Sequence, residues 1–480
     1  MSPVRISARE AGLECGLGNR ASTGTNRASS WVWFVACGTV LLLAACGNQA
    51  VSHTLEPTPV PAETLSASAS AEPEAGTIEP APGSDSSVYA ANPGAIVVAI
   101  DAGHGGCLDW GVPDPSERGV ELAEKTLTLA IAERLRTRLS AEGIGVVMMR
   151  DEDEALAGDD YEPLGCNGPA WRDVNGDGLS GFGPDLPEAT RTRDELQARL
   201  DLANLARADA LVSIHINSPF DAGQPVEIAF SESFYTDETA WGSTVTARLA
   251  DALQAGVVER IEPLAGYQRT DRGTTAHNFY MVAPPLFERT PERPDPLKQP
   301  TRGGLMPVVL SEVGSITLRS EHDLLASVPG QDAVAAGLFD GLATFFAERE
   351  LGARIALEGV PAGTPEAVAG DGPPFWAATV ADGPVELRLT NTGTEAWPTG
   401  TELVAGWELS DQPYLARAPA SLEPLEVAVP ALAAGESVVL GVELPPSPAE
   451  RALAWISLSV GSATTADRGS PALQLSSGPP

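Results

Sequence analysis

The chain has 480 residues, with Lys plus Arg at 30, Asp plus Glu at 65 and a formal net charge of −35. So large an acidic excess excludes nucleic acid, or any polyanion, as a partner, because phosphate binding needs Lys and Arg to displace counterions. The length suits two or three units, the 43% apolar content suffices for sizeable cores, and five cysteines are too few for a disulfide scaffold.

In chain order, the first segment carries Arg5, Arg9, Arg20 and Arg27, and the uncharged run 31–45 follows. A permanent span needs about 20 apolar residues, so this shorter run suits the apolar core of a signal peptide. Its end, Leu43-Ala44-Ala45-Cys46, resembles a bacterial lipobox. That implies an exported lipoprotein with signal 1–46, anchored to a membrane through a lipid on Cys46 and facing the cell wall or periplasm. A conventional secretory signal beside a coincidental cysteine, or a short membrane anchor, are the alternatives. Residues 47–94 are rich in Pro, Ala and Ser and hold no Lys or Arg. They cannot form a core and read as a disordered tether, spanning roughly 40 Å as a flexible coil.

From residue 95 the pattern changes. Apolar runs predict strands at 95–101, 146–150, 210–217, 226–230 and 306–312, and periodic spacing predicts helices at 121–142, 191–208, 239–256 and 331–349. Alternating strands and helices define an α/β domain over 95–350, a largely parallel sheet flanked by helices. The stretches 151–185, 271–281 and 282–304 read as loops, and 351–372 as a linker. Beyond it, alternating short strands predict an all-β, Ig-like sandwich over 373–470. Its segment 389–398 resembles the start of Ig-like domains of the "next to BRCA1" central type, and Trp397, Trp407 and Trp455 read as its core rather than as sugar-stacking platforms. The tail 471–480, and the chain from 461 onward, reads as loosely ordered.

Five histidines are present. His53 lies in the tether, and His277 and His322 lie in polar surroundings. His104 ends a strand inside Asp101-Ala102-Gly103-His104-Gly105-Gly106, and His215 lies near the end of Leu211-Val212-Ser213-Ile214-His215-Ile216-Asn217. Functional groups gather at the carboxyl ends of strands in open α/β sheets. A catalytic zinc wants three protein ligands, often two His and a carboxylate, with one position left for water. His104, Glu124 and His215 supply that set, leaving Glu312 as the general base. Taken singly, each has a plain alternative: a structural imidazole, an acid favoured at a helix N-terminus, a solvated strand-end acid.

The same pieces resemble the zinc-dependent N-acetylmuramoyl-L-alanine amidases, bacterial cell-wall hydrolases. The matching motifs stand in the family's order at 96–106, 124–135, 199–218, 278–282 and 306–314. The resemblance implies one zinc per chain on His104, Glu124 and His215, with Glu312 assisting the water. It also implies peptidoglycan as substrate, cut at the amide between N-acetylmuramic acid and L-alanine. Ser315 and Leu318 stand where the family usually has an aromatic residue and an Asn. The interval from His104 to Glu124 is longer than the family's, and Glu121, one helical turn earlier, is an alternative ligand. Other readings are a wall-binding or activator protein that keeps the fold, a zinc peptidase of other substrates, and an Ig-like domain that binds a partner protein.

Cys107 and Cys166 are the cysteines left after export and lipidation, so a disulfide between them is expected, with free thiols or a ligating Cys107 as alternatives. Asp173, Asn175 and Asp177 match the first half of a calcium loop, but Pro184 stands where its bidentate Glu belongs; a plain acidic turn explains them equally.

Overall fold

The computed structural model describes residues 96–106, 109–112, 122–157, 173–176, 188–221, 224–285, 302–360, 367–368, 376–380, 383–449 and 451–478, all within the unit Glu72–Pro480. The expected signal, lipidated Cys46, tether, Glu121, Cys107, Cys166 and Asp177 lie outside them. Among the described residues no helix is long and apolar enough to cross a membrane.

Strand β1 (Val97–Ala102) is buried along its whole length. A run apolar on both faces suits the interior of a parallel sheet covered on both sides. Its alternate residues divide between two cores, as the period of two requires. Ile96, Val98, Ile100 and Ala102 face one core and Val97 and Ala99 the other. Around β1 stand β2 (Gly145–Met148), β3 (Ala210–Asn217), β4 (Ala229–Tyr235), β5 (Arg269–Ala276) and β6 (Val308–Ser315), in the order β2-β1-β3-β6-β4-β5. Four neighbours run parallel, but β4 is antiparallel to β6 and carries β5 parallel to itself. The sheet is therefore mixed, with a reversed pair at one edge.

Helix α1 (Glu124–Ala141) repeats Leu127, Ile131, Leu135 and Leu139 every four residues, and all four are buried. That stripe packs with α3 (Ala247–Ile261) and α5 (Val328–Ala347) on one face of the sheet. Helix α2 (Glu188–Leu205) covers the other face through Leu200 and Ala203. Two elements escaped the sequence reading. β5 (RTDRGTTA) was expected as loop because it lacks apolar alternation; it is an exposed edge strand, held by its ladder to β4. The short α4 (Arg319–Leu325) buries His322 completely, with Nε2 2.8 Å from the Leu122 carbonyl, contrary to the polar surroundings expected for it.

The later region is all-β. β7 (Ala353–Leu357), β9 (Pro384–Asn391) and β11 (Ser437–Glu443) form one sheet in the order β11-β9-β7; β8 (Trp376–Thr379), β10 (Glu402–Leu409), β12 (Ala452–Val460) and β13 (Leu473–Ser476) form the path β8-β13-β12-β10 of another. Their facing residues share a core with Trp397, 2% exposed. Two expectations change. The stretch read as linker contributes β7, paired with β9, and the tail contributes β13, buried between β8 and β12. With only two apolar positions, Leu473 and Leu475, β13 is too short for periodicity to detect; its neighbours decide it.

Candidate metal centre and active site

The turn after β1 is where the chemistry collects. His104 sits at φ 63°, a left-handed conformation uncommon outside glycine. The surroundings over-determine it. The Gly103 amide donates to the Ile214 carbonyl at 3.0 Å and the Gly105 amide to the Asp109 carbonyl at 2.8 Å. Arg199 donates to the carbonyls of Ala102 (3.0 Å) and His104 (2.8 Å), and Arg150 to those of Ala102 (2.9 Å) and Gly103 (3.2 Å). On the far side Lys125 Nζ donates to the Gly106 carbonyl at 2.7 Å and to Asp153 at 2.6 Å.

Glu124, the first residue of α1, carries its carboxylate between the two histidines. Its Oε1 lies 3.2 Å from His104 Nε2 and 3.3 Å from His215 Nδ1, and accepts the Ile216 amide at 2.8 Å. Oε2 accepts the Val112 amide at 3.2 Å. One ligand atom from each of His104, Glu124 and His215 lies within 4.8 Å of the others, the one such cluster among the described residues. Two glycines make room for it. A Cβ on Gly103 would stand 2.5 Å from His215 Cε1, and one on Gly111 would stand 2.5 Å from Glu124 Oε2.

Burial works against charge on Glu124, but His104 and His215 outweigh it and hold the carboxyl well below the ordinary range. Burial likewise opposes a charged His104; Glu124 and Asp109 overcome it and raise its pKa well above the usual value. Asp109 Oδ1 lies 2.6 Å from His104 Nδ1. An acid on the far nitrogen orients the ring and leaves Nε2 free for a cation. Asp109 was missed, although it stands five places beyond His104 in the same glycine-rich turn. Asp109→Ala is expected to weaken zinc binding about 10–100-fold; competition with a metallochromic chelator measures it, and unchanged affinity would remove this role.

Glu312 in β6 lies in register between His215 of β3 and Glu232 of β4. Its Oε2 is sealed from solvent with no hydrogen-bond partner among the described residues. Burial first, then the charges of Glu124 and Glu232, push its pKa well above the usual carboxylate range, with His104 opposing. Glu232 is itself raised by burial against the pull of Arg272. Sequence reading missed Glu232 because it ended that strand at 230. Ser315 is buried with its hydroxyl 2.9 Å from Thr317 Oγ1, and Leu318 precedes α4.

Two histidines and one carboxylate, converging and backed by Asp109, fit zinc by donor type and number. The calcium expectation gains no support. Asp173 Oδ1 closes a turn onto the Gly176 amide at 2.8 Å, and neither Asp173 nor Asn175 joins a metal-type cluster among the described residues.

A metal-type cluster of two histidines and a glutamate thus gathers beside the carboxyl ends of β1 and β3 in a mixed α/β sheet. The model of the N-acetylmuramoyl-L-alanine amidase family matches residues 98–344. The chain belongs to this family. It is similar to the germination-specific N-acetylmuramoyl-L-alanine amidase of Bacillus subtilis (strain 168), 25% identical over 253 residues, covering 53% of this chain and 81% of that protein. The N-acetylmuramoyl-L-alanine amidase LytC of the same organism is 25% identical over 249 residues, covering 52% of this chain and 35% of that protein. Among solved structures, N-acetylmuramoyl-L-alanine amidase from Clostridium difficile 630 is 24% identical with a TM-score of 0.35, covering 53% of this chain and 98% of that chain.

Proposed function

We propose that the chain hydrolyses the amide joining N-acetylmuramic acid to L-alanine in peptidoglycan, with His104, Glu124 and His215 holding one zinc and Glu312 moving the proton. The observation that carries this reading is the Glu124 carboxylate set between His104 Nε2 and His215 Nδ1, with Glu312 one strand away. Zinc, when bound, supplies a Lewis acid that polarises the scissile carbonyl and makes water a competent nucleophile at neutral pH. Glu312 takes a proton from the attacking water and delivers it to the leaving amine nitrogen. Burial and the negative charges of Glu124 and Glu232 make its carboxyl a stronger base than an ordinary one, which suits both transfers. Asp109 keeps His104 oriented, and Arg150 and Arg199 hold the strained turn that presents it.

Export as a lipoprotein, through Cys46 and the tether 47–94, belongs to the same proposal, as does an Ig-like module with a partner of its own. The lipobox-like Leu43-Ala44-Ala45-Cys46 and the wall substrate support it. The expected result for the purified chain is one zinc per molecule, together with release from peptidoglycan of stem peptides that begin at L-alanine. Chelation is expected to stop release and added zinc to restore it. Release that persists after complete metal removal would overturn the proposed site.

A further inference from the structure

A row of functional side chains crosses the sheet from the metal centre to its edge. His215 of β3 is in register with Glu312 of β6, and Glu312 with Glu232 of β4. On β5 the register then slips. Ser231 pairs with Asp271 and Ser233 with Thr274, so Arg272 and Gly273 together oppose Glu232. Two residues against one make a bulge, which re-aims a side chain. Its cause lies in α3. Asp271 Oδ1 accepts from Gln254 Nε2 at 2.7 Å and from the Gly273 amide at 2.8 Å, and Thr274 Oγ1 donates to Asp251 at 2.6 Å. Gly273 takes φ 70°, which glycine adopts without strain. Asp271 and Thr274 therefore face α3, and Arg272 between them faces the other way. His215 and Glu312 face that way too, because their neighbours Ile214, Ile216 and Val313 fill the core beneath α3.

Arg272 lies over the buried ring of Phe230, with Cζ 3.5 Å from the ring centroid, and its Nη1 donates to Glu232 Oε1 at 3.4 Å. The same oxygen accepts from Asn217 Nδ2 at 3.1 Å, two places beyond His215. The guanidinium thus stands inward of its own strand, beside the acidic part of the row. Its contact with Glu232 is long and uses one donor of the five that a guanidinium carries. The side chain is 37% exposed, which leaves donors for a second acceptor arriving from solvent. Stacking on Phe230 already holds the planar fork in place, so little freedom is lost when that acceptor binds.

We propose that Arg272 receives the carboxylate of the stem-peptide residue following L-alanine, and so selects stem peptides in which that carboxylate is free over those in which it is amidated. The inference rests on the amidase reading for its substrate. In a stem peptide that residue is a glutamate joined through its side chain. Its α-carboxylate is left as a planar anion, the shape a guanidinium fork matches. The distance agrees. Neighbouring strands lie ~4.8 Å apart, so a guanidinium beside Glu232 stands two spacings, roughly 10 Å, from His215. Two residues of extended chain at ~3.3–3.6 Å each, closed by a hydrogen bond of ~2.8 Å, cover that interval. The terminal carboxylate of a longer peptide would overshoot it. The plain alternative is that Arg272 only balances the charge of Glu232.

The test is steady-state kinetics of the full, zinc-loaded chain on two uncrosslinked peptidoglycan preparations. They are alike except that the α-carboxyl of that glutamate is free in one and a carboxamide in the other. The unsubstituted chain is expected to favour the free carboxylate about tenfold in kcat/KM. Arg272→Ala is expected to lose roughly 10–100-fold on the carboxylate preparation, mostly in KM, and to abolish the preference. Arg272→Gln serves in its place if that variant does not fold. Arg272→Lys keeps the charge without the fork and is expected to restore part of the preference. A loss that falls equally on both preparations and mainly on kcat would overturn the proposal, since Arg272 would then serve only Glu232 and, through it, Glu312. So would a preference that survives in Arg272→Ala. Failure of the amidase reading looks different. No peptide released from either preparation sinks that reading and this assignment with it, whereas equal release from both by the unsubstituted chain sinks this assignment alone.

Discussion

Glu312→Gln is expected to lower peptide release about 10²–10⁴-fold, the usual worth of a positioned general acid–base, with zinc content unchanged. The amide has the shape of the carboxyl but cannot accept and return a proton. Glu312 is outside the trio whose donor atoms converge, so the substitution leaves His104, Glu124 and His215 in place. The melting temperature of the metal-free chain is expected not to fall. The native carboxyl is buried beside Glu124 and Glu232 and has an oxygen without a partner among the described residues, whereas the amide adds no like charge. Stem-peptide release, metal analysis and thermal unfolding on the same preparation check all three. Turnover within tenfold of the unsubstituted chain would remove Glu312 from the mechanism. Loss of zinc would show instead that its role is to support the metal.

Asp101→Ala is expected to cost about 3–5 kcal/mol of stability, because it strips a buried Arg199 of one partner. Asp101 is 0% and Arg199 1% exposed, with Arg199 Nη1 2.7 Å from Asp101 Oδ1. Ser213 donates to the other carboxylate oxygen at 2.6 Å. Glu195 still holds the guanidinium in the variant, which places the loss toward the lower figure. Arg199 also bonds the Ala102 and His104 carbonyls, so the histidine turn loosens with it. Denaturant unfolding at neutral pH measures the cost, and a loss under 1 kcal/mol would show that Arg199 finds other partners.

The same pair carries a pH signature. Burial raises the Asp101 pKa, but Arg199, His215 and the hydrogen bonds overcome it and the net shift is downward. A depressed carboxyl contributes stability that is present above its unfolded pKa, about 3.9, and is lost as pH falls through the lower folded value. Acid unfolding below about pH 4 is therefore expected to flatten in Asp101→Ala. An unchanged acid branch would place that sensitivity elsewhere.

The strands and helices that surround the metal centre were legible because their periodicity is strong. β1 and β3 are apolar runs, α1 repeats leucine and isoleucine every fourth residue, and His104 and His215 punctuate strand ends beside glycine or asparagine. Where local pattern is weak, the reading failed. β5 is polar and β13 has two apolar residues, yet both are strands because a neighbouring ladder supplies their hydrogen bonds. His322 looks solvated among charged neighbours, but α4 turns it inward to the Leu122 carbonyl.

What the sequence by itself determined is the α/β class and the later all-β region, since residue type, periodicity and motif order are properties of the chain alone; it also named His104, Glu124 and His215, whose donor atoms the fold brings together. Only the tertiary structure decided that the sheet is mixed. It alone sets Glu124 between both histidines, puts Asp109 behind His104 and brings Glu232 beside Glu312. It alone turns Arg272 of the polar edge strand toward Glu232. The physical reason is range. Propensity and hydrophobic period act over a few residues, whereas a carboxylate's pKa, a buried oxygen's missing partner and the direction of an edge strand depend on groups the chain brings together only by folding.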